Sequence, residues 1–357
     1  MSKKTAIITY TDANNPGALL QAYALEHVIR SITDDVCCQI DHRAASSKIF
    51  RQIRGPRDIL YDAYYLFTYG ARKRRNQRYA LFRQDYLHMT KPCHTPDKLW
   101  ELNNQFDYFI SGSDQVWNCQ KGMYKPFFLN FVQETEKKFT YAASMGKTDV
   151  PIDFIPEFQK AVSSFAAISV REDQVAEFLQ QFQVSAEVVC DPVFLLNKNE
   201  WLQMISQIRK GIHKPYIFVY TTEMNEEFKS RLKELKNRTG MDVISMRKIS
   251  GIRSKTVLDL GPLEFVWYIA NAACVMTNSF HATAFSIILN KPLYCILHKT
   301  RGERMSSLLR KLELEDCIIQ DHLPAQQIIV DWCNVEKQLN VYTSTSKEFL
   351  QRILGGE

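Results

Sequence analysis

A chain of 357 residues, 45% hydrophobic and 24% charged, is longer than one hydrophobic core usually supports and too apolar to be disordered. Its net charge of +6 is concentrated, because residues 48–91 hold eleven Lys/Arg against three Asp/Glu. That distribution excludes a wholly basic nucleic-acid binder and points to a local surface partner. The nine cysteines are odd in number, with no C-x-x-C pair and no histidine at zinc-finger spacing. They therefore read as reduced, mostly buried thiols, neither a disulfide framework nor a metal site. The N-terminal apolar run is too short for a signal peptide, so the expected location is the cytoplasm. The longest uncharged stretch, from Phe265 to Asn290, is interrupted by polar residues and reads as helix, strand, loop and helix, not as a membrane span.

In chain order, Thr5 to Tyr10 is a β-branched run leading through Pro16 and Gly17 into a helix with Leu25, Val28, Ile29 and Ile32 on one face. Residues 45–100 read as a basic helical insertion. Further strands are expected at Tyr108 to Ile110, Phe139 to Ala143, Ala167 to Val170 and Glu187 to Cys190, each followed by a polar loop. Phe194 to Lys214 reads as a connector. A second series opens at Tyr216 to Tyr220 and continues with a helix from Glu226 to Arg238 and a strand from Asp242 to Met246. A helix opened by Gly261-Pro262 and running to Ala273 comes next. The series closes with a strand from Cys274 to Thr277, a helix from Phe280 to Leu289 and a strand from Leu293 to Leu297. Strands alternating with helices predict an α/β fold of parallel sheets. Two such doubly wound domains, at 1–195 and 196–335, would hold ligands between them, beyond the carboxyl ends of the strands.

The strongest candidate site is TNSFHAT. A buried strand ends at Thr277, Ser279 is placed to N-cap the next helix, and His281 falls in its first turn. Free N–H groups and the positive end of the helix dipole converge on Asn278, Ser279, Phe280 and His281, which favours a phosphate or carboxylate. The dipole disfavours the imidazolium, and a bound anion restores it. The alternative is a histidine that only caps or packs. Arg171 follows a strand directly, as an exposed fork for an anion or as a salt-bridge partner of Glu172 or Asp173. Arg301 and Arg304 follow a strand at a similar edge, or else begin a solvated helix. Asp114 and Asp191 each follow a strand and would act as a base, bind sugar hydroxyls, or form Asx-turns; for Asp191, followed by Pro192, the turn is favoured. Asn14, Asn15 and Gln21 would hydrogen-bond a sugar, with Gly17 allowing close backbone approach. No metal-binding or dinucleotide motif is present. The run Arg72, Lys73, Arg74 and Arg75, among aromatics, reads as a contact for anionic membrane or an acidic partner, or as a helix packed on the first domain.

Together, NNPGALLQAYAL, YFISGSDQVWN, YAASMG, ISVRED, VCDPVFLL, GPLEFVWYIANA and TNSFHATAFSIILNKPL resemble, in order and spacing, the polysaccharide pyruvyl transferase family, over roughly Thr5 to Leu314. The resemblance implies two Rossmann-like domains facing across a cleft in a GT-B-like arrangement, with a C-terminal helix (336–357) returning to the first. It implies an acceptor side in the first domain and a donor side in the second. It also implies a transferase that moves pyruvate from phosphoenolpyruvate to two hydroxyls of a saccharide, which a lipid link would tie to the inner face of the membrane. The products would be a cyclic ketal and phosphate, with no cofactor and no nucleic-acid partner. The family's donor-binding Arg and His would fall on Arg171 and His281, with Phe280 alongside. Two other readings stand beside it: a nucleotide-sugar glycosyltransferase on the same fold, and a non-catalytic glycan- or membrane-assembly-binding protein.

Overall fold

A computed structural model describes residues 3–33, 36–43, 56–120, 122–297, 302–326 and 328–355, with backbone alone over 56–67. The first half contains β1 (Lys4–Ile8), α1 (Pro16–Ile32), β2 (Val36–Gln39), α2 (Pro56–Tyr86), α3 (Pro96–Trp100) and β3 (Tyr108–Ser111). It continues with β4 (Lys138–Thr140), α4 (Ile155–Val162), β5 (Ser169–Val170), α5 (Asp173–Gln180) and β6 (Glu187–Val188). After α6 (Lys198–Met204) come β7 (Tyr216–Tyr220), α7 (Glu226–Thr239), β8 (Asp242–Ser245), β9 (Lys255–Thr256) and α8 (Pro262–Ala270). The chain then passes through β10 (Cys274–Thr277), α9 (Phe280–Ile288), β11 (Leu293–Cys295), α10 (Glu303–Lys311) and α11 (Trp332–Gly355).

Among the described residues every strand pairing is parallel, in two main sheets ordered β2-β1-β3-β4 and β11-β10-β7-β8-β9. Bridges from Phe139 to Ala167 and from Ala143 to Val170 attach the short β5–β6 pair to the free edge of β4. This is the α/β architecture the alternation of strands and helices predicts. Strand ends differ from expectation where the backbone turns early. Ala142 takes φ 51° just past β4, and a left-handed residue cannot continue a strand. The expected connector is ordered: Asn197 accepts from the N–H groups of Asn199 and Glu200, and Glu200 reaches back to the Asn197 N–H, a capping box that starts α6. Inside α6, Trp201 is fully buried and donates Nε1–H to Val193 O at 3.0 Å.

α2 explains part of the basic block. Tyr79 and Phe82 are buried in the core shared with α1 and α8. Arg78 pairs with Glu264 at 2.9 Å and with Asp259 at 3.2 Å, and Arg74 reaches Asp259 at 3.3 Å. Gly261 admits this contact, since a Cβ there would lie 2.7 Å from Arg78 Cβ. Arg83 donates to the carbonyls of Thr11 and Asp12. These arginines therefore hold α2 between the two sheets, while Lys73 faces solvent. Arg72 donates Nε–H to Thr68 Oγ1 at 3.0 Å along the helix, and Arg75 is half-buried; the basic residues of the block before 68, and Arg301, lie outside the residues described with side chains.

All nine cysteines are free thiols and seven are buried. Among the described residues no helix is long and apolar enough to cross a membrane, and no group of three or more His, Cys, Asp or Glu is placed to hold a metal ion.

α11 packs back onto the first half. Tyr342 OH donates to Val189 O at 3.0 Å, Ser346 Oγ accepts from the Cys190 N–H at 2.9 Å, and buried Phe349 meets Tyr141. The helix thus braces the chain immediately before Asp191. Removing the Phe349 ring leaves a cavity at this junction, so Phe349→Ala is expected to cost about 3–5 kcal/mol in chemical denaturation.

Candidate active site at the amino end of a buried helix

In each main sheet the chain leaves a central strand in two directions, giving switch points at β1/β3 and β7/β10. Parallel sheets bind ligands beyond the carboxyl ends of the strands at such points. Here the two crevices share one cleft of about 120 Å³. The first sheet supplies Asn15, Asp114 and Gln115; the second supplies Tyr220, Thr222 and the run Asn278 to His281; α10 adds Arg304.

The TNSFH segment is shaped by its own hydrogen bonds. Thr277 Oγ1 donates to Tyr220 O at 2.5 Å and accepts from the Ser279 N–H at 2.9 Å. Asn278 Oδ1 accepts from the Thr221 hydroxyl and the Thr222 N–H, both at 2.9 Å, while its Nδ2 donates to Glu223 O at 2.7 Å. Its amide is spent bracing the loop after β7, although Asn278 also lines the cleft. Ser279 occupies the N-cap position of α9 in extended geometry but makes no capping hydrogen bond, contrary to the sequence expectation. The positive end of α9 therefore faces the cleft without a side-chain cap, an arrangement that attracts anions.

His281, one residue into α9, is 8% exposed. Burial lowers its pKa below the ordinary histidine value; Asp191 and Asp114 oppose the shift, and Arg171 and Arg304 reinforce it. The imidazole sits directly on Gly17 in α1: a Cβ at Gly17 would lie 2.2 Å from His281 Cγ and Nδ1. Asn15 and Pro16 fix that glycine, because Asn15 caps α1 by accepting from the Gly17 N–H at 3.0 Å. His281 Nε2 is buried without a hydrogen-bond partner and lies 3.8 Å from Asp191 Oδ2.

Behind this ring is a buried charge cluster. Arg171 donates from Nη1 to Asp191 at 2.6 Å and from Nε to Glu172 at 3.1 Å, and its guanidinium stacks on Phe280 at 4.2 Å. Arg171 was expected as an exposed fork; it is instead 6% exposed, and it lines a small cavity with Asp191 and Phe280, outside the 120 Å³ cleft. Two carboxylates claim it, one of them the Glu172 partner anticipated from sequence. Its Nη2 is buried without a partner. Burial opposes the charge on Arg171, but Glu172 and Asp191 outweigh that penalty and raise its pKa. Burial likewise opposes ionisation of Asp191, and His281 and Arg171 overcome it, leaving the carboxyl below its ordinary pKa. Asp191 also accepts from the Val193 N–H at 3.1 Å, the Asx-turn anticipated for a residue before proline, and from Ser113 Oγ at 3.1 Å.

Arg304, in the first turn of α10, enters the cleft and does not remain a solvated helix start. With its carboxamide oxygen turned toward α10, Gln115 accepts from both terminal nitrogens of Arg304, at 3.0 and 3.2 Å. Sequence reasoning passed over Gln115 in favour of its neighbour Asp114, although both follow β3. Asp114 adopts φ 73°, a left-handed conformation that Asp tolerates better than most residues. Two expected ligand-binding residues lie elsewhere. Gln21 is fully buried, donating to Thr9 Oγ1 and Ala18 O, and Asn14 bonds Asn76 on α2 and lines a second pocket.

Two facing α/β units with a cleft at their strand ends define a GT-B-like fold. Solved structures agree on the fold: UDP-GlcNAc 2-epimerase from Neisseria meningitidis bound to UDP-GlcNAc has a TM-score of 0.53 at 10% identity over 98% of this chain and 94% of that one. The Methanocaldococcus jannaschii UDP-GlcNAc 2-epimerase in complex with UDP-GlcNAc and UDP has a TM-score of 0.54 at 11% identity over 100% of both chains. Comparison with curated proteins finds no significant match. The profile of the polysaccharide pyruvyl transferase family matches residues 15–300, and the chain belongs to that family.

The Gly17 contact yields a direct test. Gly17→Ala adds a methyl group where the His281 ring already sits, so the ring must move despite the better helix propensity of alanine. The variant is expected to lose about 1–3 kcal/mol of stability. The His281 ring proton resonances should shift while the other histidines keep theirs.

Proposed function

We propose that this protein transfers pyruvate from phosphoenolpyruvate to two hydroxyls of a sugar in a bacterial surface polysaccharide or its lipid-linked precursor. The products are a cyclic ketal and phosphate. The observation that carries the reading is the cleft at the amino end of α9. It is small, about 120 Å³, and it combines an uncapped helix start, the Arg304 guanidinium and the His281 imidazole. That inventory suits a compact anion with two acidic groups. A nucleotide-sugar, which the solved relatives of this fold bind, is far larger than such a space.

In this scheme Arg304 and the first-turn N–H groups of α9 hold the donor. Burial lowers the pKa of His281, and the donor anion offsets that burial and favours the protonated imidazole. Its proton goes to the methylene carbon of the enol phosphate, giving an oxocarbenium-like centre at C2. One sugar hydroxyl adds there and loses its proton to Asp114, which faces the cleft from the first sheet. The C2–O bond to phosphate breaks, the phosphate taking the proton held by Asp114, and the neighbouring hydroxyl closes the ketal as its own proton returns to His281. Asp191 was expected as an alternative base; its buried ion pair with Arg171 makes it a positioning residue instead, and Arg171 acts through Phe280 and Asp191.

Phosphate release from phosphoenolpyruvate in the presence of a panel of sugars tests the reading. His281→Ala should lower the rate by about 100-fold or more. Arg304→Ala should raise the KM for phosphoenolpyruvate. Phosphoenolpyruvate should raise the melting temperature of the wild type, and UDP-sugars should not; the reverse pattern would overturn the assignment.

The pH profile is a separate prediction. A general acid must carry its proton, so kcat/KM should fall as pH rises through the His281 pKa, which burial places below the ordinary value. In kcat, measured with donor bound, that limb should move to higher pH. His281→Gln should abolish the limb.

A further inference from the structure

α2 touches both halves of the molecule beside the donor cleft. Asn76 Oδ1 accepts from Asn14 Nδ2 at 2.8 Å on the loop after β1, whose next residue, Asn15, lines the cleft. Arg74 and Arg78 pair with Asp259, shortly before α8. Between these anchors Arg75 and Tyr79, one helical turn apart, face inward; Tyr79 is fully buried and Arg75 half-buried.

Arg75 differs from the other arginines of α2 described with side chains. Arg72 is held by Thr68, Arg74 by Asp259, Arg78 by Glu264 and Asp259, and Arg83 by the carbonyls of Thr11 and Asp12. Arg75 makes no ion pair or hydrogen bond with a described residue, and its Nε is buried without a partner. The hydroxyl of Tyr79, an electrostatic neighbour of Arg75, is buried and unpartnered as well. The carboxylates on this side are already claimed: Glu264 by Arg78 at 2.9 Å and Lys210 at 3.7 Å, and Asp259 by Arg74 and Arg78. A half-buried cation without an anion and two orphaned donors each cost free energy in the empty protein. Such groups call for an occupant that supplies the missing acceptors.

The occupant is set by what Arg75 faces. Its field reaches Tyr220, at the carboxyl end of β7, and Tyr220 lines the donor cleft. Burial raises the Tyr220 pKa to about 12, against the opposing pull of Arg247 and Arg75, so this phenol is neutral and does not balance the guanidinium. The cleft thus has a cation on either side, Arg304 with the uncapped start of α9 and Arg75 next to Tyr220. Asp114 is the only carboxylate among the lining residues; it enters from the first sheet and turns a second acidic group toward the Tyr220 wall.

We propose that Arg75 binds the carboxylate of the donor, while the phosphate sits at the start of α9 with Arg304. The Tyr220 hydroxyl donates to the same carboxylate. The proposal rests on the pyruvyl-transfer reading and adds which end of the donor meets which wall. It makes α2 the element that distinguishes a phosphorylated acid from a plain phosphate ester.

The test is titration calorimetry on the full chain with phosphoglycolate and ethyl phosphate, which share a phosphate monoester and differ by a carboxylate. Wild type should bind phosphoglycolate about ten-fold or more tightly than ethyl phosphate, the margin of a charge-assisted contact. Arg75→Gln should bring the two affinities within about two-fold of each other, and Arg75→Lys should keep part of the difference. Arg304→Gln should weaken both probes by a similar factor and preserve their ratio. Arg247→Gln, which removes an exposed cation that also acts on Tyr220, should preserve it too. Since Arg75→Gln removes an uncompensated charge, the free variant should melt at or above the wild-type temperature. A ratio retained in Arg75→Gln, a ratio lost equally in Arg247→Gln, or no phosphoglycolate binding by wild type would each overturn the proposal. The expected ratios with no binding of phosphoenolpyruvate to wild type would instead remove the pyruvyl-transfer reading and leave Arg75 as a carboxylate site.

Discussion

The buried ion pair between Arg171 and Asp191 is the constraint around which the site is arranged. Two charges with side chains 2% and 0% exposed need close partners, because the desolvation penalty is several kcal/mol per ion. Arg171 meets this with Asp191, Glu172 and the face of Phe280; Asp191 meets it with Arg171, the Val193 N–H and Ser113. The pair therefore fixes the end of β5, the turn after β6 and the first residue of α9 at once. His281, the next residue, inherits its position from that arrangement and from the bare backbone of Gly17.

The rest of the molecule can be understood as support for that point. The two parallel sheets bring their switch points to one cleft, so groups from distant parts of the chain need only short loops to meet. α11 holds the segment before Asp191 through Tyr342, Ser346 and Phe349. Gln115 from the first half holds Arg304 from the second. Rigid positioning of this kind lets a small set of groups act without reorganising during reaction, which is where most electrostatic catalysis originates.

Much of the fold was legible because it depends on local patterns. The buried runs YIFVY and CVMT became β7 and β10 with the expected bounds, and the helix at Phe280 was one residue shorter than expected. Early strand ends were less legible, since nothing in YAASMG announces a left-handed Ala142. Within the site, position after a strand found Asp114, Asp191, Arg171, Arg304 and His281, because parallel sheets put such positions at the ligand edge. What it could not give was which of them face the cleft. Arg171 and Asp191 turn toward each other, a tertiary fact set by residues twenty positions apart, and Gln21 is drawn inward by Thr9. The role of Gly17 was visible only as a need for close approach; that its neighbour is an imidazole from the other half depends on how the two sheets meet.

The seating of His281 on Gly17 has a consequence for how such proteins diversify. The histidine proposed as proton donor belongs to one half of the chain and its seat to the other, so neither half carries the complete contact. Recombination that exchanges one half for that of a distant relative breaks the match at this contact, even when both halves fold well. Productive chimeras would need the crossover to keep α1 with α9, although more than 260 residues separate Gly17 from His281. Substrate range can still drift freely along the loops and α2, which lie outside that matched surface.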